Sequence, residues 1–99
     1  MPEHAVVVDV SRYHAAPGKR EELLAAMKRI ADQAAASDGC FGAQACASNQ
    51  EPEVLVAVSR WNSTAALDAF ASGAAATAER ERLTALLDRP PRHEHLTPL

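Results

Sequence analysis

Three side chains at alternate positions near the start of this chain could do chemistry together: Asp9, Ser11 and Tyr13. They lie in and just after a β-branched run, Ala5-Val6-Val7-Val8-Asp9-Val10. Successive side chains of a strand point to opposite faces, so these three share one face. Asp9 is the only acid inside the run. In a pocket, with its pKa raised by burial, such a carboxyl serves as a base or hydrogen-bonds a phenol. At a strand edge the same side chain reaches water or a backbone N–H. Ser11 can orient a substrate oxygen, or stand as an ordinary strand-end hydroxyl. Tyr13 and His14 close the strand. An imidazole suits proton transfer, but the parity of His14 sets it opposite Ser11, toward an interface or solvent.

Two further groups invite a chemical reading. Trp61 is the only Trp and stands where a strand runs into a helix start. It is either a wall on which an aromatic ligand stacks or a core residue that locks the strand to the helix. His93-Glu94-His95 near the end would put both imidazoles on one face of a strand, which permits a shared metal. Two His ligands rarely suffice for zinc, and only the distant His4 offers itself as a third. The expectation is therefore a solvated edge strand and no metal. Cys40 and Cys46, on one strand, would be about 20 Å apart at ~3.3 Å per residue, too far to bridge. Free thiols fit a reducing cytoplasm.

The elements that position these residues read from periodicity. A strand covers residues 4–13, and Ala16-Pro17-Gly18-Lys19 is turn chemistry. Leu23, Met27, Ile30, Ala31 and Ala34 make one apolar stripe of a helix over Lys19–Ser37, closed by Asp38-Gly39. A second strand covers Cys40–Ser48. The polar turn 49–53 leads to a third strand, Val54–Trp61. Asn62 or Ser63 caps a short helix, Ser72-Gly73 interrupts it, and a further helix spans 74–88 until Arg89-Pro90-Pro91 stops it. Arg92–Leu96 is the last strand. The order β-α-β-β-α-β is the α+β, ferredoxin-like split βαβ arrangement.

Val54-Leu55-Val56-Ala57-Val58 does not alternate apolar with polar, so both faces of the third strand should be covered. A 99-residue chain has helices for one face only. The other face calls for a second copy, sheet against sheet. The length fits one domain, 1–99. Of the residues, 47% are apolar, but 22 are Ala, and only Tyr13, Phe41, Trp61 and Phe70 are aromatic. Few large anchors again favour burial against a partner. The net charge of −3 and the lack of a basic stripe argue against nucleic acid. No apolar run is long enough to span a bilayer, and Met1-Pro2-Glu3-His4 lacks the basic start of a signal peptide.

Ser59-Arg60-Trp61-Asn62-Ser63 followed by Ala65-Ala66-Leu67-Asp68-Ala69 resembles the tryptophan signature of the antibiotic biosynthesis monooxygenase domain family. So do Pro17-Gly18-Lys19, Asp38-Gly39-Cys40 and Pro90-Pro91 at their places in the order. The resemblance implies a protomer that dimerises through its sheet into an α/β barrel, with a ligand pocket between sheet and helices. It puts Trp61 beside that pocket, and with it Leu55, Ala57 and Ser59 of the same strand face. Val54, Val56, Val58 and Arg60 then meet the partner. Ser11 falls where haem-degrading members carry an Asn, and Phe70 where many relatives carry a His. Both departures argue against haem degradation.

The activity the resemblance implies is cofactor-independent monooxygenation of a phenolic or quinol-type aromatic. Trp61, Ser11 and Asp9 are the expected catalytic residues. Tyr13, Phe41, Leu55, Ser59 and Phe70 are the expected substrate contacts. A binding dimer without turnover, or an isomerase acting on a small carbonyl metabolite, are the alternatives.

Overall fold

The computed structural model describes residues 5–99. The elements are β1 (Val7–His14), α1 (Arg20–Ala35), β2 (Cys40–Ala47), β3 (Val54–Trp61), α2 (Thr64–Ala71), α3 (Ala74–Thr84) and β4 (Arg92–Leu96). The strands form one antiparallel four-stranded sheet in the order β2-β3-β1-β4. This is the expected ferredoxin-like fold, with its second helical segment divided in two. His4, the third histidine weighed with His93 and His95, lies outside the described residues.

Local chemistry explains most boundaries. The apolar stripe of α1 buries Leu23, Ala26, Met27 and Ala34, while Glu21 and Glu22 sit in the first turn, where the helix dipole favours acids. Ser63 caps α2: its hydroxyl accepts from the Ala66 N–H at 3.0 Å. Gly39 turns the chain into β2 at φ +86°, and a Cβ there would meet Asn62 Oδ1 at 2.6 Å and the Ala66 Cβ at 2.7 Å. Its carbonyl accepts from the Asn62 N–H at 2.7 Å, which pins the start of β2 to the end of β3. Helix α3 ends at Thr84, short of the expected residue 88. Leu87 instead bridges to Ala15, and the Leu86 carbonyl accepts from the Ala16 N–H at 2.9 Å, so pairing with the end of β1 draws this segment out of the helix.

The helices cover one face of the sheet, and the core on that face falls into two parts. Tyr13, Ala15, Leu23, Ala26, Met27, Leu55 and Leu83 form one cluster. Val7, Ala34, Trp61 and Leu67 form the other. Opposed residues of an antiparallel pair share a face, so the register orders the space between. Val7 lies opposite Trp61 in one cluster, and Tyr13 opposite Leu55 in the other. Between them Asp9 lies opposite Ser59, and Ser11 opposite Ala57. Ala43 and Ala45 continue these two rows on β2. The middle of the covered face is therefore built of small and polar side chains, and the helices above it have nothing large to pack against.

The uncovered face carries Val8, Val10, Val56 and Val58 at the centre of the sheet, each partly exposed. Cys46 shares this face by its pairing with Val56, and Leu96 by its pairing with Val8. Both cysteines are free thiols. Among the described residues, no helix is long and apolar enough to cross a membrane.

Candidate functional site

A cavity of about 300 Å³ occupies the gap between the two core clusters. Its floor is the row of short side chains just described: Asp9, Ser11, Ala57, Ser59 and Ala43. Its roof is α1, through Ile30, Ala31 and Ala34, and α2, through Leu67, Asp68, Phe70 and Ala71. The alanines leave a wide apolar slot. Polar groups concentrate at the side where β1 meets β4; Gln44, Ser59 and Asp68 are the polar lining residues elsewhere.

That seam carries two side-by-side pairs. Asp9 is opposite His95 in the register and Ser11 is opposite His93. Asp9 Oδ1 and His95 Nε2 stand 3.1 Å apart. Ser11 Oγ and His93 Nδ1 share a hydrogen bond of 2.8 Å. The ring of Tyr13 meets His93 edge-on, with centroids 6.3 Å apart and an interplanar angle of 81°. Burial pushes the Tyr13 phenol above its ordinary pKa. Hydrogen bonding with Ser11 opposes that rise, the negative charge of Asp9 adds to it, and the positive charge of Arg80 opposes it.

Arg80 of α3 closes the same side. Its guanidinium donates to the Ala71 carbonyl, which fastens α3 to the end of α2. With Tyr13 and His93 it also forms the partition to a second cavity of about 370 Å³ between α3 and β4. Above the sheet, Glu79 is 4% exposed and takes Arg29 of α1 at 3.1 Å and Arg82 at 2.8 Å. This clamp ties α3 to the helix that roofs the first cavity.

Asp9, Ser11, Tyr13, Ser59 and Phe70 all line the first cavity. Trp61, Leu55 and Phe41 are not in its lining. Trp61 is 0% exposed. Its ring lies against Phe70, centroids 5.5 Å apart and tilted by 30°, and its indole N–H donates to Ser59 Oγ at 2.8 Å. It stands one layer behind the wall and holds two lining residues in place. Leu55 lies in the core cluster below Tyr13. Phe41 falls where the β2–β3 register slips between Cys40 and Gly42; it is the extra residue of a bulge and is 41% exposed.

The sequence leads one to a solvated edge strand for His93 and His95, and β4 is an edge strand exposed along its whole length. What it does not give is that both imidazoles also border the cavity, or that Arg80 does. The β1–β4 register, which the sequence does not set by itself, brings the histidines in. Antiparallel pairing of β1 with β4 puts the odd-numbered residues of both strands on the cavity face. Among the described residues, no group of three or more His, Cys, Asp or Glu is placed to hold a metal ion.

The family described as antibiotic biosynthesis monooxygenase matches residues 6–82. The chain belongs to that family. Solved structures share the fold over nearly the whole length. Rv0793 from Mycobacterium tuberculosis is 28% identical, with a TM-score of 0.86 and 94% of each chain covered. A conserved protein from Methanosarcina mazei Go1 is 17% identical, with a TM-score of 0.88 over 95% of this chain and 93% of that one. PA3566 from Pseudomonas aeruginosa is 18% identical, with a TM-score of 0.85 over 100% of this chain and 99% of that one. No curated protein matches the chain in sequence. Within the antibiotic biosynthesis monooxygenase family, then, this chain combines an alanine-lined slot with a polar seam of Asp9, Ser11, His93 and His95.

Proposed function

We propose that this single-domain protein is a cofactor-independent monooxygenase that oxygenates an electron-rich phenolic or quinol-type aromatic. The observation that carries this reading is the division of the cavity. A flat apolar slot roofed by Ala31, Ala34 and Phe70 suits a planar ring system, and one polar side suits its oxygens. Family membership supports the oxygen chemistry.

The chemistry needs nothing beyond substrate and dioxygen. An anthrone-type ring reacts through its enol, a phenol. Loss of one proton gives an anion that passes an electron to dioxygen. The radical pair combines to a carbon-bound peroxide, which takes the proton back. Loss of water from the hydroperoxide then removes the second hydrogen of that carbon and leaves a new carbonyl. One oxygen atom enters the product and the other leaves as water. The protein supplies an apolar slot, hydrogen bonds that favour the anion, and orientation. Ser11 and Tyr13 hold the substrate oxygens, Asp9 favours proton loss, Ser59 and Phe70 line the ring, and Trp61 stiffens that wall from behind.

The assembly in this reading is a cytoplasmic homodimer through the uncovered sheet face. The valine patch on that face supports it. A second reading, ligand binding without turnover, draws on Phe70, since the roof of the cavity offers no imidazole. The test is oxygen uptake with anthrones, naphthols and hydroquinones, with no metal or flavin added, comparing the native protein with Phe70→Ala. Protein-dependent uptake that falls in a folded variant supports the oxygenase. Binding of these compounds with no uptake favours the second reading.

A further inference from the structure

We infer that His95 is the general base that takes the substrate proton, and that Asp9 positions it and stabilises the imidazolium it becomes. This rests on the oxygenase reading and assigns its proton transfer. Three observations carry it. First, the two residues are direct partners in the β1–β4 register, so the backbone itself sets their approach, at 3.1 Å. Second, both line the cavity, His95 with 52% of its side chain exposed and Asp9 with 25%. The imidazole is the more open of the two and the carboxylate the more buried. Third, the neighbouring pair is chemically different. His93 meets the neutral hydroxyl of Ser11, with no carboxylate to stabilise its charged form.

A carboxylate on one ring nitrogen fixes the tautomer, leaves the other nitrogen free to accept, and offsets the positive charge that accepting creates. Here Asp9 sits at Nε2, which leaves Nδ1 as the acceptor. His95 takes the enol proton as the anion forms and returns it to the peroxide, so the imidazole ends as it began. The Ser11–His93 pair then serves as hydrogen-bond partner to the substrate oxygen. The other titratable or charged groups around this space are Tyr13 from β1, His93 from β4, Asp68 from α2 and Arg80 from α3; α1 contributes only apolar residues.

The test compares native protein with His95→Gln, Asp9→Asn and Ser11→Ala in two measurements. In oxygen uptake, His95→Gln should lose roughly 10²–10⁴-fold near neutral pH, the usual contribution of a positioned base. It should regain rate as pH rises through the substrate's own pKa, where solution supplies the anion. Asp9→Asn should show the same rescue from a smaller loss. Ser11→Ala should lose rate without alkaline rescue. Unchanged rates in His95→Gln, or a loss that high pH does not relieve, overturn the assignment. The second measurement uses a nitrophenol that resists oxidation and whose anion absorbs visibly. Native protein should bind it largely ionised at a pH where the free phenol is neutral, and His95→Gln should bind it neutral. Equal ionisation in both, or no binding to native protein, overturns the assignment. Native protein that binds the nitrophenol ionised yet consumes no oxygen would sink the oxygenase reading and leave the base in place.

Discussion

Asp9 of the first strand and His95 of the last face each other at 3.1 Å across an edge seam of the sheet. The pair is half open to solvent on the histidine side. Exposed pairs of this kind contribute about 0–1 kcal/mol to stability. Urea unfolding of Asp9→Asn should therefore show a loss under about 1 kcal/mol. A drop of several kcal/mol would mean that the pair holds β4 on the sheet, and its catalytic assignment would lose its main support.

Tyr13 yields a pH prediction with a definite sign. Burial is the largest cause of its raised pKa. The unfolded phenol titrates near 10, and the folded one above that. Between the two values the unfolded chain has already given up its proton and the folded chain has not, so stability falls as pH rises through this window. Below pH 10 the stabilisation is fully present. Tyr13 is the only tyrosine, so phenolate absorbance reads it alone. The folded protein should titrate above 10, and Tyr13→Phe should flatten the loss of stability in alkali. A phenolate signal at or below pH 10 in folded protein would contradict the burial argument.

Gly39 tests the packing that anchors Trp61. A Cβ there would come within 2.6 Å of Asn62 Oδ1 and 2.7 Å of the Ala66 Cβ, at a φ of +86°. Overpacking costs about 1–3 kcal/mol, and a left-handed residue other than glycine adds roughly 1 kcal/mol. Gly39→Ala should therefore lose about 2–4 kcal/mol in urea unfolding. A neutral substitution would show that Asn62 and α2 can move aside freely.

The fold was legible because its signals were local. The α1 stripe of Leu23, Met27 and Ala34, the Ser72-Gly73 break and the unbroken run of β3 each belong to one segment. The end of α3 was not legible, because Leu87 leaves the helix to pair with Ala15, a contact across more than 70 residues. The site divided along the same line. Parity alone put Asp9, Ser11 and Tyr13 on one face. His93 and His95 become part of the site only through the β1–β4 register, and Arg80 only through the packing of α3. Phe41 misled because a bulge breaks the parity of β2 at that residue. Trp61 misled for a different reason: its strand face was right, but it packs on Phe70, which lines the cavity, and does not line it itself.

Trp61 is also the only tryptophan, which makes the wall measurable. It is fully buried and packs on Phe70, which lines the cavity. Its fluorescence should be blue-shifted and shielded from iodide. Phe70→Ala should open a path to the indole, red-shift the emission and admit the quencher. Trp61→Ala should cost about 3–5 kcal/mol, as large aromatic truncations in cores do. Easy quenching of the native protein would mean that the indole, not Phe70, forms the surface a ligand meets.

The valine face offers a direct test of the proposed assembly. Val10 and Val58 are paired at the centre of the sheet on the side the helices leave uncovered, and both stay partly exposed. Val58 also borders the cavity, whereas Val10 does not. Val10→Asp therefore places a charge in the middle of the proposed interface while leaving the ligand space alone. A buried unpaired carboxylate costs several kcal/mol, and in a dimer this substitution would bury two of them. Sedimentation at micromolar concentration should find the native protein dimeric and Val10→Asp monomeric, with similar helix content by circular dichroism. A native monomer would mean that this face is covered by something other than a second copy.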